Sequence, residues 1–162
     1  MLVGVAAAVK LTPAVFVLFF LLRKEYRAAM WSAVTFLGCA ALAFALAPGP
    51  SVAYWTRLVF EGDRIGSPAF VSNQSLRGVF ARLGHESLWV IPAVAVIALA
   101  VYVIPRVRLP YAVGVTALLG LLVSPVSWVH HWVWLVPLLA VLSWVAVMER
   151  RWCLFRSRRS RG

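Results

Sequence analysis

Residues 111–148 read YAVGVTALLGLLVSPVSWVHHWVWLVPLLAVLSWVAVM, without one Asp, Glu, Lys or Arg. As a single helix these 38 residues would extend about 57 Å, nearly twice the roughly 30 Å hydrocarbon core of a bilayer. The chain must therefore fold back inside the stretch, and Ser124-Pro125-Val126-Ser127 is the natural break. Working outward, three further apolar runs appear. Leu2–Leu22 contains Lys10 and Pro13, Ala28–Ala47 is stopped by Pro48-Gly49-Pro50, and Leu88–Ile104 is closed by Pro105. The expectation is an all-α polytopic membrane protein with about five transmembrane helices, near 2–22, 28–47, 88–104, 111–124 and 132–148. A loop over 48–87 and a basic tail over 149–162 complete the chain.

Composition points the same way. Of 162 residues, 63% are hydrophobic and 13% charged, against roughly 45–50% and about 25% in soluble domains. The mean hydropathy is +0.89. An ordinary soluble domain, a disordered chain and a secreted disulfide scaffold are excluded. Sixteen Lys and Arg against five Asp and Glu give a net charge of +11. These charges cluster between apolar runs, the pattern of membrane topology and not of nucleic-acid binding.

Arg23, Lys24 and Arg27 fill one connection, Arg106 and Arg108 another, and Arg150, Arg151, Arg156, Arg158, Arg159 and Arg161 the tail. With five spans all three lie on one side, which the positive-inside rule makes cytoplasmic. The tail is expected to touch anionic membrane lipids. Loop 48–87 and the turn from Ser124 to Trp134 then face outward. Cys39 and Cys153 fall in different environments and are not expected to pair. Met1 opens directly into apolar sequence without a signal-peptide n-region. The topology also puts it outside, so the expectation is a piece of a longer protein.

Three places carry chemistry. Lys10 is a charge within the outer part of the first span, where an ammonium usually faces a cavity or a partner. Pro13 has no N–H for the Val9 carbonyl, which leaves a free acceptor beside it. Either Lys10 snorkels to the interface or it holds an anion such as a lipid phosphate. In the loop, Val52, Trp55 and Val59 beside Arg57 suggest one interfacial helix. Leu76, Val79, Phe80 and Leu83 suggest a second, with Arg77 and Arg82 off the stripe. Ser72 or Asn73 would cap it. A capped helix start with Arg77 suits phosphate; the other reading is a helix that only packs on the membrane surface.

The third place is Ser127-Trp128-Val129-His130-His131-Trp132-Val133-Trp134. Adjacent histidines diverge by about 100° on a helix and make a poor metal pair, so neither metal nor cofactor is expected. The Trp residues fit an aromatic belt or a sugar-stacking wall with His bonding hydroxyls or phosphate. Because this turn and Lys10 share the outer half of the membrane, one cavity is expected to hold both. The outer carboxylates are Glu61, Asp63 and Glu86.

Three motifs occur in order: Ala8-Val9-Lys10-Leu11-Thr12-Pro13, Asn73-Gln74-Ser75-Leu76-Arg77-Gly78-Val79, and Ser124-Pro125-Val126-Ser127-Trp128-Val129-His130-His131. Together, from Val3 to Leu142, they resemble the C-terminal part of the actinobacterial polyprenyl-phosphate-mannose-dependent α-(1→2)-mannosyltransferases, glycosyltransferase family 87. The resemblance implies a partial GT-C bundle acting at the outer face of the plasma membrane. It implies a polyprenyl-phosphate-mannose donor and a lipid-linked mannoside acceptor such as a phosphatidylinositol mannoside, lipomannan or lipoarabinomannan. Carried onto this chain, Lys10 and Arg77 would contact phosphate, Asn73 and Gln74 would line the site, and His130 or His131 would meet donor sugar or phosphate. The family's catalytic Asp lies in a first external loop with no counterpart here, and Asp63 occupies a different loop. A missing N-terminal half and no turnover by this chain alone are thus expected. The alternative from another class is a small non-enzymatic membrane scaffold or transporter subunit, though the two halves of the chain show no internal repeat.

Overall fold

The computed structural model describes residues 1–61 and 66–159; Asp63 and Arg161, named above, lie outside the described residues. The described residues are helical, without strands, apart from one isolated antiparallel bridge between Asn73 and Trp128. Helices α1 (Leu2–Val9) and α2 (Val15–Leu22) are separated by a 3-10 turn at Thr12–Ala14. Next come α3 (Tyr26–Leu46) and α4 (Pro48–Ala53), which continues as a π-helical turn over Tyr54–Leu58. The remaining elements are α5 (Leu76–Arg82), α6 (Val90–Val103) preceded by a 3-10 turn at Glu86–Trp89, α7 (Leu109–Val123), and α8 (Leu135–Arg159) preceded by a 3-10 turn at Val129–Trp134.

The breaks follow from proline. Leu2–Leu22 is not one continuous helix: α1 ends at Val9, and Lys10 is extended at φ −150° and ψ 128°. Pro13 has no N–H to bond the Val9 carbonyl, so the helical ladder is interrupted where that bond would fall. Ala47, before Pro48, and Ser124, before Pro125, likewise leave the helical region and end α3 and α7. The fold-back expected at Ser124–Ser127 is therefore where the chain turns. Among the described residues three helical stretches are long and apolar enough to cross a membrane, Tyr26–Leu46, Glu86–Val103 and Val129–Met148. Thr12–Leu22 and Leu109–Val123 are shorter apolar helices.

Side-chain placement is the inverse of a soluble protein. Alanines 7, 29, 93, 100 and 112 are buried, whereas Leu37, Ile91 and Leu99 are more than 60% exposed. Small residues inside and large apolar ones outside suit helices surrounded by lipid. The chain is a multi-pass membrane protein. Its core is a cluster of Phe19, Ala100, Ile104, Ala112 and Leu119, where α2, α6 and α7 meet.

Two contacts align these helices end to end. At one end, Arg23 Nη1 donates to the carbonyls of Val107 at 2.9 Å and Ile104 at 3.4 Å. The basic connections after α2 and after α6 thus meet. At the other end, a Cβ on Gly120 would lie 3.1 Å from Val15 Cγ1 and 3.6 Å from Thr12 Cγ2. The missing side chain lets α7 approach the start of α2, which brings Lys10 beside the turn after α7. Both short helices expected in the loop are present, as α4 with its π-helical turn and as α5. Val79 and Leu83 of the α5 stripe remain exposed, and the buried residue of this helix is Gly78.

Candidate functional site

His131 Nε2 lies 2.7 Å from Lys10 Nζ. The proline-induced break after Val9 exposes Lys10, and the 3-10 turn after Trp128 presents His131 to it. The second imidazole nitrogen identifies the tautomer. Nδ1 accepts the backbone N–H of Trp128 at 3.0 Å, and a backbone N–H is a permanent donor. A neutral imidazole has one N–H and one lone pair, so its proton sits on Nε2 and points to Lys10. When Lys10 is an ammonium, two donors converge with no acceptor of their own. An anionic oxygen that takes both N–H groups satisfies the pair.

Asn73 is fully buried and acts as the latch of this end. Its Oδ1 accepts from the backbone N–H of Ser75 at 3.2 Å and of Ser127 at 3.0 Å. Its Nδ2 donates to the carbonyls of Pro68 at 3.0 Å and Pro125 at 3.3 Å. These four bonds use both donors and both acceptor sites of the amide, so Asn73 positions the turn and has no group left for a ligand. Around it, Gln74 N donates to Ser127 O at 2.7 Å and Val129 N to Ser72 O at 3.0 Å, which fixes the turn carrying His131. A Cβ on Gly78 would meet the Asn73 carbonyl oxygen and lie 3.0 Å from Nδ2, so only glycine fits there. The helix cap is Ser75, whose Oγ accepts from Gly78 N at 3.1 Å, and not Ser72 or Asn73. Asn73 is committed to the latch, which moves the cap two residues on. Ser127 Oγ and Trp132 Nε1 are buried without a partner among the described residues. Each such group costs about 1–3 kcal/mol, and both lie on this turn.

Arg77 has a carboxylate partner. Its Nε and Nη2 donate to Glu86 Oε1 at 2.7 and 2.6 Å, with the Arg side chain 20% exposed and that of Glu86 44%. Arg77 therefore does not join the Lys10–His131 pair, and its charge is compensated. Gln74 is exposed, its Nε2 donating to Val71 O at 2.7 Å. His130 is exposed, its ring centroid 4.3 Å from that of His131 at an interplanar angle of 64°. Lys10, His131 and His130 are thus brought together; Asn73 supports them from behind, and Arg77 stands in a separate cleft.

Two cavities flank the latch. An apolar groove of about 340 Å³ runs along Leu11, Val15, Leu18, Ile97 and Leu119 to Pro125. It begins one residue from Lys10. An open cleft of about 490 Å³ is lined by Arg77, Glu86, Ser87, Trp89 and Pro125. Pro125 borders both. Sequence reading missed Trp89 as a cleft residue: an indole at the head of an apolar helix looks like an interfacial anchor, and although the 3-10 turn Glu86–Trp89 sets it on one face with Glu86, only folding brings Arg77 and Pro125 to them.

Large apolar side chains facing outward, with a polar cluster at one end of the helices, define a multi-pass membrane protein with a site at its helix ends. The chain belongs to glycosyltransferase family 87, whose model matches residues 1–125. It is 43% identical over 93% of its length to a polyprenol-phosphate-mannose-dependent alpha-(1-2)-phosphatidylinositol mannoside mannosyltransferase of Mycolicibacterium smegmatis, and covers 38% of that protein. A protein of the same description from Mycobacterium tuberculosis is 41% identical over 88% of this chain, which covers 36% of it. A phosphatidylinositol pentamannoside mannosyltransferase of M. tuberculosis is 38% identical over 86% of this chain, which covers 34% of it. The chain thus spans little more than a third of the length of these curated relatives. No solved structure matches.

Proposed function

We propose that this chain forms the donor-phosphate-binding part of a membrane mannosyltransferase. The donor is polyprenyl-phosphate-mannose, and the acceptor is a phosphatidylinositol mannoside or a related envelope mannoside such as lipomannan or lipoarabinomannan. The site faces outward across the plasma membrane and the basic tail lies in the cytoplasm, in keeping with the distribution of Lys and Arg. The observation that carries this reading is the 2.7 Å approach of Lys10 Nζ and His131 Nε2.

Three features support it. The pair supplies two N–H donors and a positive charge to one oxygen, as a phosphate requires. The apolar groove starting at Leu11 is in position for the prenyl chain. The relatives' names specify this donor chemistry. In the reaction the acceptor hydroxyl oxygen bonds to the anomeric carbon while the bond from that carbon to the phosphate oxygen breaks. The electron pair leaves on the polyprenyl phosphate, and the hydroxyl proton passes to a general base. Lys10 and His131 stabilise the charge that grows on the departing phosphate. His130 stands beside the same oxygen or the donor sugar, Gln74 lines the approach, and Asn73 holds the turn in place. No described residue is assigned as the base, so the chain alone binds donor without transferring mannose. Membership of a glycosyltransferase family does not favour a scaffold or transporter subunit.

The test is lipid binding by the purified 162-residue chain, read by native mass spectrometry. Polyprenyl phosphate binds in preference to the uncharged polyprenol, and Lys10→Ala and His131→Ala each remove the preference. Equal binding of both lipids, or a preference untouched by these substitutions, sinks the assignment.

A further inference from the structure

The cleft of Arg77, Glu86, Ser87, Trp89 and Pro125 is outside the phosphate site, and its chemistry is different. Lys10 and His131 have no carboxylate partner among the described residues, whereas the Arg77 guanidinium is held by the Glu86 carboxylate through two contacts to Oε1, at 2.7 and 2.6 Å. A compensated cation is a weak anion trap. An ion pair at the rim of a cleft instead offers both acceptors and donors. A carboxylate has about four lone-pair sites, so Glu86 keeps acceptor capacity after two bonds from Arg77. The Ser87 hydroxyl adds a group that both gives and takes a hydrogen bond. Trp89 supplies a flat apolar face with a polar edge.

An aromatic face beside a carboxylate, a guanidinium and a hydroxyl matches a pyranose ring, whose C–H face is apolar and whose rim carries hydroxyls. The volume, about 490 Å³, is within the range of roughly 300–1,000 Å³ usual for small-molecule sites. Its position adds the second argument. Pro125 lines this cleft and the apolar groove alike, and its carbonyl is pinned by Asn73 Nδ2 and Ser75 Oγ, each at 3.3 Å. A polar cleft and an apolar groove that share one fixed wall suit molecules with a saccharide head and a lipid tail.

We infer that the cleft of Arg77, Glu86, Ser87 and Trp89 is a subsite for an uncharged hexopyranosyl unit of a lipid-linked saccharide, distinct from the Lys10–His131 phosphate position. This inference rests on the reading of the chain as part of a glycosyltransferase that handles lipid-linked mannose. Trp89 stacks on the ring, and Glu86 and Ser87 bond its hydroxyls. Arg77 holds Glu86 in place.

Saturation-transfer NMR with methyl α-D-mannopyranoside, on the full chain in phosphocholine micelles, tests it. The ring protons receive saturation from the wild-type protein, and inorganic phosphate does not displace the glycoside. Trp89→Ala weakens binding roughly two- to tenfold, the worth of one aromatic contact. Glu86→Gln also weakens it, and Trp89→Phe, which keeps the packing, retains most of it. Signals unaffected by both Trp89→Ala and Glu86→Gln, no signal from wild type, or displacement by phosphate overturns the subsite. Polyprenyl phosphate binding in the same preparations separates the two readings. If it persists and depends on Lys10 while the glycoside signal does not depend on Trp89, the subsite alone fails. If it is absent while the Trp89-dependent glycoside signal stands, the phosphate assignment fails and the sugar subsite remains.

Discussion

Lys10 Nζ and His131 Nε2 stand 2.7 Å apart although 121 residues separate them along the chain. The two arrive from opposite termini, one at a proline-broken helix and the other at a turn after α7. Each is held by backbone: Lys10 by the break that ends α1, His131 by the Trp128 N–H on its Nδ1.

That second contact has a spectroscopic consequence. His131 is in the Nε2–H form, because Nδ1 must keep its lone pair for the Trp128 N–H. Long-range 15N–1H correlation on histidine-labelled protein shows a protonated Nε2 and an unprotonated Nδ1 for the signal lost in His131→Gln. A protonated Nδ1 would remove the argument for two converging donors.

The two adjacent histidines are not equivalent. His131→Ala weakens binding of polyprenyl phosphate by about ten- to a hundredfold, the worth of a hydrogen bond to a charged group at about 1.5–3 kcal/mol. His130→Ala, which leaves both donors in place, has the smaller effect. Titration of each variant with the lipid decides it, and a reversed order would give His130 the phosphate.

Asn73→Ala acts on stability before ligand. It strands the N–H groups of Ser75 and Ser127 and the carbonyl of Pro68, while the carbonyl of Pro125 keeps the Ser75 hydroxyl. With unsatisfied buried groups costing about 1–3 kcal/mol each, the loss is at least about 3 kcal/mol. Denaturant unfolding in micelles measures it, and a loss under about 1 kcal/mol would remove the latch.

Gly78→Ala attacks the same latch sterically. The added Cβ meets the Asn73 carbonyl oxygen and lies 3.0 Å from Nδ2. Forced overpacking costs about 1–3 kcal/mol. Combined with Asn73→Ala, the second substitution adds somewhat less than it costs alone, because the side-chain part of the clash, at Nδ2, has gone while the Asn73 backbone oxygen stays in place. Additive losses in the double mutant would show the two residues to be independent.

Glu86→Gln leaves the fold almost intact. Its partner Arg77 is 20% exposed and the carboxylate 44%, and solvent-accessible ion pairs contribute about 0–1 kcal/mol. An unfolding shift beyond about 1 kcal/mol would mean that the pair is structural, and a fall in sugar binding would then say nothing about hydroxyl contacts.

Much of this was legible in the chain because membrane crossing is written in length and polarity. Ser124-Pro125 had to turn the long apolar stretch, and Lys10 with Pro13 had to mark an irregular place in the first. The pairing of Lys10 with the Trp-His turn was expected from their shared depth. Roles within the 73–77 motif were not legible. An amide in a polar turn looks like a ligand-lining group until burial shows all of its hydrogen bonds in use. An arginine near a helix start looks like a phosphate group until folding brings a carboxylate to it. Glu86 is nine residues from Arg77, beyond the three- or four-residue spacing that a helix would reveal.

The sequence by itself determined that the chain is a helical membrane protein, where it bends, and which polar residues are costly enough in lipid to need partners. Hydrophobicity and proline act locally, so they can be read along the chain. Which partner each polar residue takes was decided by the tertiary structure alone. That choice depends on the close approach of α7 to α2 at Gly120 and on the Asn73 latch, contacts between segments far apart in sequence. They make Lys10 and His131 a pair of converging donors, Arg77 and Glu86 a compensated one, and Pro125 the wall between the groove and the cleft.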